Sequence, residues 1–165
     1  MMQKKICMLG AFAVGKTSLV SRFVDSIFSE KYQTTVGVKI SKKVLQVDSE
    51  EWHLILWDLA GEDEFLQIRT SYLRGSAGYL LVVDGTRQAT LETALHIHER
   101  IVHDLGNVPF VVLLNKADLQ QEWEISEAAC ADMNTRGWTW LTASAKTGGG
   151  VNEAFLTLVR KMQEA

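Results

Sequence analysis

A chain of 165 residues, 47% of them hydrophobic and 22% charged, holds enough apolar material for one compact domain with an ordinary core and leaves no sequence for a second. Its formal net charge of −3 gives no general attraction to DNA, RNA or anionic lipid, so nucleic acid is not an expected partner. With no apolar run of spanning length, neither a membrane helix nor a leader is expected, and the chain reads as cytoplasmic.

Residues 5–9 form the first apolar run, the pattern of a strand buried on both faces. It leads into Gly10-Ala11-Phe12-Ala13-Val14-Gly15-Lys16-Thr17, after which residues 18–24 take up helical spacing. A Gly-x4-Gly-Lys-Ser/Thr pattern between a strand and a helix is the setting of a phosphate-binding loop. Its glycines let backbone N–H groups converge on an anion, and the helix start adds the positive end of its dipole. Ala13, Val14, Gly15, Lys16, Thr17 and Ser18 are therefore expected to hold phosphates. Lys16 reaches the outer two, and Thr17 offers a hydroxyl to Mg2+, which takes hard oxygen ligands.

Residues 36–47 and 51–57 read as strands separated only by Asp48, Ser49 and Glu50, a hairpin-length connection that makes them antiparallel neighbours. Asp58 ends the second of them, in Asp58-Leu59-Ala60-Gly61-Glu62, where a carboxylate can hold Mg2+ through water. Further apolar runs at 78–83, 109–114 and 138–142 alternate with helical spacing at 91–105, 125–133 and 151–162. That alternation requires crossovers, hence an α/β fold with a six-stranded mixed sheet, five strands parallel and one antiparallel, and helices on both faces. No linker or repeat divides it, so residues 1–165 are expected to form a single domain. Ligands of such sheets bind beyond the carboxyl ends of the strands, and each motif falls there.

Asn115-Lys116-Ala117-Asp118 follows the fifth strand. The Asp118 carboxylate can accept from guanine N1–H and its exocyclic amine, whereas adenine presents an unprotonated N1 and leaves it unpaired. Sites built on such polar matching discriminate by about 10⁴ to 10⁵. Ser144-Ala145-Lys146, after the last strand, can bring N–H groups to the guanine oxygen, while the stems of Lys116 and Lys146 cover the base and ribose.

In order and spacing, residues 10–17, Thr35, 58–61, 115–118 and 144–146 resemble the Ras superfamily of small GTPases over essentially the whole chain. Residues 57–61 and 71–75 look most like its Rab branch. The resemblance implies the small G domain of the P-loop NTPases, a switch that binds GTP or GDP with Mg2+ and hydrolyses GTP. It places Phe28 against the guanine edge, gives Mg2+ a second hydroxyl from Thr35 when the γ-phosphate is present, and has Gly61 donate its N–H to that phosphate. Glu62, Lys16, Gly61 and Thr35 would then form the catalytic set. Loss of the γ-phosphate would release segments near 28–40 and 61–75, to which effectors, an exchange factor and a GTPase-activating protein would bind.

Two departures bear on catalysis. Glu62 stands where the family has a glutamine. An amide both accepts from the attacking water and donates to the phosphoryl group, whereas an ionised carboxylate only accepts and adds negative charge. Phe12, with Ala13 beside it, replaces two glycines, and its ring can block an arginine finger. Slow intrinsic hydrolysis is the expectation; the alternative is a hydrolysis-deficient GTP-binding interaction module.

The remaining conspicuous residues read as structural. Cys7 and Cys130 are expected in the core or on a helix face, and His96 and His98 on different helix faces. His103 is expected to pair with Glu99, and Trp138 and Trp140 to share a strand face. The tryptophans are expected in packing or on a partner surface, with Trp52 and Trp57 as candidates for an effector surface. Residues 160–165 lack the cysteines used for prenylation, and Met2 is not glycine, so no autonomous membrane anchor is expected. That fits a soluble, prokaryote-like member or a piece of a longer chain.

Overall fold

The computed structural model describes residues 2–25, 37–59 and 69–165. Six strands form one sheet in the order β2-β3-β1-β4-β5-β6: β1 (Met2–Gly10), β2 (Val38–Val47), β3 (Glu50–Leu59), β4 (Ser76–Asp84), β5 (Phe110–Asn115) and β6 (Trp140–Thr142). Among the described residues only the β2–β3 pair is antiparallel; the other pairs are parallel. The helices are α1 (Lys16–Asp25), α2 (Ala89–Leu105), α3 (Glu127–Thr135) and α4 (Val151–Glu164).

Continuous apolar strands are explained by the two cores they feed. In β4, Leu80 and Val82 enter one layer while Tyr79, Leu81 and Val83 enter the other, because successive side chains point to opposite faces. Helices α1 and α4 close the first core, where the rings of Phe23 and Phe155 stack with centroids 3.9 Å apart. Helices α2 and α3 close the second through Leu91, Ala94, Ile97, Ile101 and Met133. Cys7 is buried in that layer and Cys130 is half-buried on α3, as thiols of this kind ordinarily are.

Several boundaries differ from the sequence reading, each for a local reason. The β2–β3 turn holds two residues, since Val47 pairs with Glu50. Asp48 and Ser49 both have positive φ, +50° and +69°, the backbone of a tight hairpin turn whose twist matches its strands. Helix α3 starts at Glu127, because Ser126 caps it by accepting from the Ala129 N–H, while Ile125 is already core. Trp138 stays outside β6: its N–H donates to Met133 O at 3.0 Å, and its ring packs edge-on against His98 and Phe110. Trp138 and Trp140 therefore do not share a strand face. Trp52 is in the first core at 1% exposure, so of the two tryptophans considered for a partner surface only Trp57 remains. His103 pairs with Asp104 at 2.8 Å, and Glu99 instead lies 4.0 Å from His96.

Because β1, β3, β4, β5 and β6 run parallel, their carboxyl ends share one edge. The loops after Gly10, Asp84, Asn115 and Thr142 converge there.

Candidate functional site

The phosphate-type loop leaves β1 at Gly10 and ends where α1 begins, at Lys16. Gly15 has φ +101°, and a Cβ added there would lie 2.3 Å from the Asn115 amide nitrogen, so the loop and the 115–118 segment interlock only around a glycine. Ala13 adopts the left-handed φ of +63°, a conformation costing a non-glycine residue about 1 kcal/mol. The Lys16 ammonium turns back over the loop, donating to Ala11 O at 3.2 Å and Gly10 O at 3.4 Å. Burial pulls its pKa down to about 8, partly opposed by the charge of Asp58.

Thr17 Oγ1 donates to Asp58 Oδ2 at 2.6 Å, joining the first turn of α1 to the end of β3. A hydroxyl and a buried carboxylate brought together are hard oxygen donors, so these residues fit a site for Mg2+ with its remaining ligands from water and phosphate. Among the described residues no cluster of three or more His, Cys, Asp or Glu suggests any other metal centre.

On the same edge, Asn115 acts as a tie. Its Nδ2 donates to Val14 O at 2.9 Å and its Oδ1 accepts from the Ala145 N–H at 3.3 Å, so one amide links three loops. Asp118 Oδ1 accepts from Ser144 Oγ at 2.7 Å. A carboxylate offers about four lone-pair directions, so this bond orients Asp118 and leaves capacity for a pair of N–H donors on a base. Ser144 Oγ in turn accepts from the Thr147 N–H at 3.1 Å.

A model of the Ras family matches residues 5–164. The chain is 32% identical over 162 residues to GTP-binding protein ypt2 of Schizosaccharomyces pombe, covering 97% of this chain and 81% of that protein. It is also 32% identical over 166 residues to Ras-related protein Rab-1 of Theileria parva, covering 97% and 74% respectively. The chain belongs to the Ras family, on its Rab branch.

Four expected site residues of this Ras-family chain, Phe28, Thr35, Gly61 and Glu62, lie outside the described residues. The others, Ala13, Val14, Gly15, Lys16, Thr17, Ser18, Asp58, Asn115, Lys116, Asp118, Ser144, Ala145 and Lys146, lie on the strand ends, loops and helix start at the carboxyl edge of the sheet. Sequence reasoning missed a second tier behind them. Asp84, 1% exposed at the end of β4, receives Thr86 N–H (2.9 Å) and Thr86 Oγ1 (2.6 Å) on Oδ1, and Arg87 Nε (2.9 Å) and Lys116 Nζ (2.8 Å) on Oδ2. Burial alone would raise its pKa, but the bonds from Lys116, Thr86 and Arg87 together hold the carboxyl below its ordinary value. Lys116 also donates to Ala13 O at 3.3 Å, and Arg87 Nη2 to Phe12 O at 2.8 Å. From α1, Arg22 donates to the carbonyls of Ala145 and Lys146 and fastens the last loop. An Asp ending an apolar strand on the ligand edge, followed by Gly85-Thr86, was the available signal for Asp84.

Proposed function

We propose that this Ras-family chain is a guanine-nucleotide switch, with residues 1–165 forming one domain that binds GTP and GDP with Mg2+ and hydrolyses GTP. The observation carrying this reading is the Asn115 tie, which fixes the phosphate-type loop against the segments bearing Asp118 and Ser144–Lys146. Phosphates would take the N–H groups of Ala13 to Ser18 and the Lys16 ammonium. The base would take Asp118 and the Ala145 backbone, with the Lys116 and Lys146 stems against its faces. Thr17, Asp58 through water, and Thr35 would hold Mg2+, which neutralises charge on the phosphate oxygens during transfer.

In hydrolysis, water adds to the γ-phosphorus and the bond to the β–γ bridging oxygen breaks, giving GDP and inorganic phosphate. Lys16 stabilises the charge left on the phosphates, Gly61 N–H holds the γ-phosphate, and Glu62 contacts the water. An ionised Glu62 accepts from that water without donating to the phosphoryl group, so the intrinsic rate is slow. The partner surface is supported by the described ends of the two switch segments. Ile40 is 56% and Tyr72 39% exposed, large apolar side chains open to a partner. Ile40 faces Trp57 across the β2–β3 ladder, and Lys5 ties that ring to the other segment, lying 3.7 Å over Trp57 and donating to Tyr72 O at 2.6 Å. Among the described residues no helix is long and apolar enough to cross a membrane.

The test is a single-turnover GTP assay on the wild type and Glu62→Gln. The wild type is expected to be the slower. A wild-type rate equal to or above that of the variant overturns the role given to Glu62, and GTP retained intact for hours by both identifies a hydrolysis-deficient binding module instead.

A further inference from the structure

Three successive carbonyls of the phosphate-type loop are each held by a side chain from elsewhere: Phe12 O by Arg87 Nη2 at 2.8 Å, Ala13 O by Lys116 Nζ at 3.3 Å and Val14 O by Asn115 Nδ2 at 2.9 Å. The last two belong to the Asn-Lys-x-Asp segment. Arg87 belongs to no motif, yet it too is held at its base. Its N–H donates to Asp84 O at 2.9 Å and its Nε to Asp84 Oδ2 at 2.9 Å, while its own carbonyl receives Thr90 Oγ1 at 2.7 Å and Thr90 N–H at 3.0 Å. The guanidinium thus bridges a buried carboxylate and the loop through two different nitrogens, Nε and Nη2, where the Lys116 ammonium makes its parallel bridge from Asp84 Oδ2 to Ala13 O through one.

In a planar trans peptide the carbonyl and the following N–H point in opposite directions. Holding Phe12 O on the Arg87 side therefore turns the Ala13 N–H the other way, away from the Asp84 cluster. The same bond steadies Ala13 in its left-handed conformation, φ +63°. Arg87 and Lys116 also place two cations on one carboxylate oxygen, leaving an excess positive charge beside the loop.

We propose that Arg87 is a positioning residue of the phosphate loop, which aims the Ala13 N–H at the nucleotide's β- and γ-phosphates by fixing the Phe12 carbonyl. The inference rests on the guanine-nucleotide reading above. Its substrate-side consequence is selective: the polyphosphate is gripped through Arg87, and the base is not.

The experiment measures affinities of GMP, GDP and GTP by competition for wild type, Arg87→Ala and Arg87→Lys, with thermal unfolding of each nucleotide-free protein. Both variants are expected to bind GDP and GTP about tenfold more weakly, the scale of one charge-assisted hydrogen bond, with GMP affinity unchanged. Arg87→Lys retains the ion pair to Asp84, so it is expected to recover the stability lost in Arg87→Ala while leaving di- and triphosphate affinity low. Equal losses for GMP and GDP, no loss in either variant, or recovery of GDP affinity by lysine each overturn the proposal. A wild-type chain that binds no guanine nucleotide overturns the functional reading and this inference together.

Discussion

Asp84→Ala removes the acceptor on which the second tier of the site is built. Four hydrogen bonds reach its carboxylate, two from cations, and the side chain is 1% exposed. Breaking a fully buried ion pair costs about 3 to 5 kcal/mol. Here the cations are not fully buried: Arg87 is 45% and Lys116 34% exposed, so water replaces part of what they lose. The part-buried Thr86 N–H and hydroxyl lose their acceptor as well. A loss of about 2 to 3 kcal/mol follows, and for a domain of this size it corresponds to a fall in Tm of about 6 to 9 °C. Asp84→Asn keeps the volume but loses the charge, and should fall between the two. The sign with pH follows from the depressed carboxyl pKa: the native state holds Asp84 ionised where the unfolded chain begins to protonate. Its stabilisation is therefore present above the ordinary Asp value and lost as pH falls through the native one. Urea unfolding of the three proteins at neutral and acid pH measures both effects. A loss below about 0.5 kcal/mol in Asp84→Ala at neutral pH, or an undiminished difference in acid, refutes the reasoning.

Two further outcomes test the site from other sides. Asp118→Asn replaces one acceptor of the base-reading carboxylate by a donor, so affinity should fall for GTP and rise for xanthosine triphosphate, whose C2 oxygen accepts that donor; competition binding of the two checks it. Lys16, with a pKa of about 8 against 10.5 for a free lysine, is half neutral at pH 8 in the nucleotide-free chain. A phosphate beside it restores the charge, so nucleotide binding near pH 8 should take up protons, read as a heat that changes with buffer ionisation enthalpy, and affinity should decline from pH 7 to 9.5. Over about pH 8 to 10.5 the unfolded chain keeps the Lys16 proton that the nucleotide-free fold releases, so this group adds to the stability of that fold as pH rises.

How far the sequence carried depended on the range of the interaction. The β4 and β5 runs were legible because burial on both faces leaves almost no polar residue in the strand, and the phosphate-type loop because its parts are contiguous. Its reach to Asp58 followed from the strand ends sharing an edge. For Trp52 the period of two already favours packing: Trp52, Leu54 and Leu56 point into one core, and Trp57 and Leu59 turn to the other. The grip of Arg87 on Phe12 spans 75 residues, and that of Arg22 on Ala145 spans 123. No local pattern announces such contacts, because an exposed arginine next to a turn looks the same whether or not a distant carbonyl lies in its reach. Asp84 was closer to legible, since a carboxylate ending a buried strand must find cations or hydrogen-bond donors.

On the proposed function, one sheet edge reads both phosphate and guanine. Direct binding of GDP and ADP in Mg2+ to the nucleotide-stripped chain tests it: GDP is predicted to bind at least about a thousandfold more tightly than ADP. Equal affinities, or tighter binding of ADP, would contradict it.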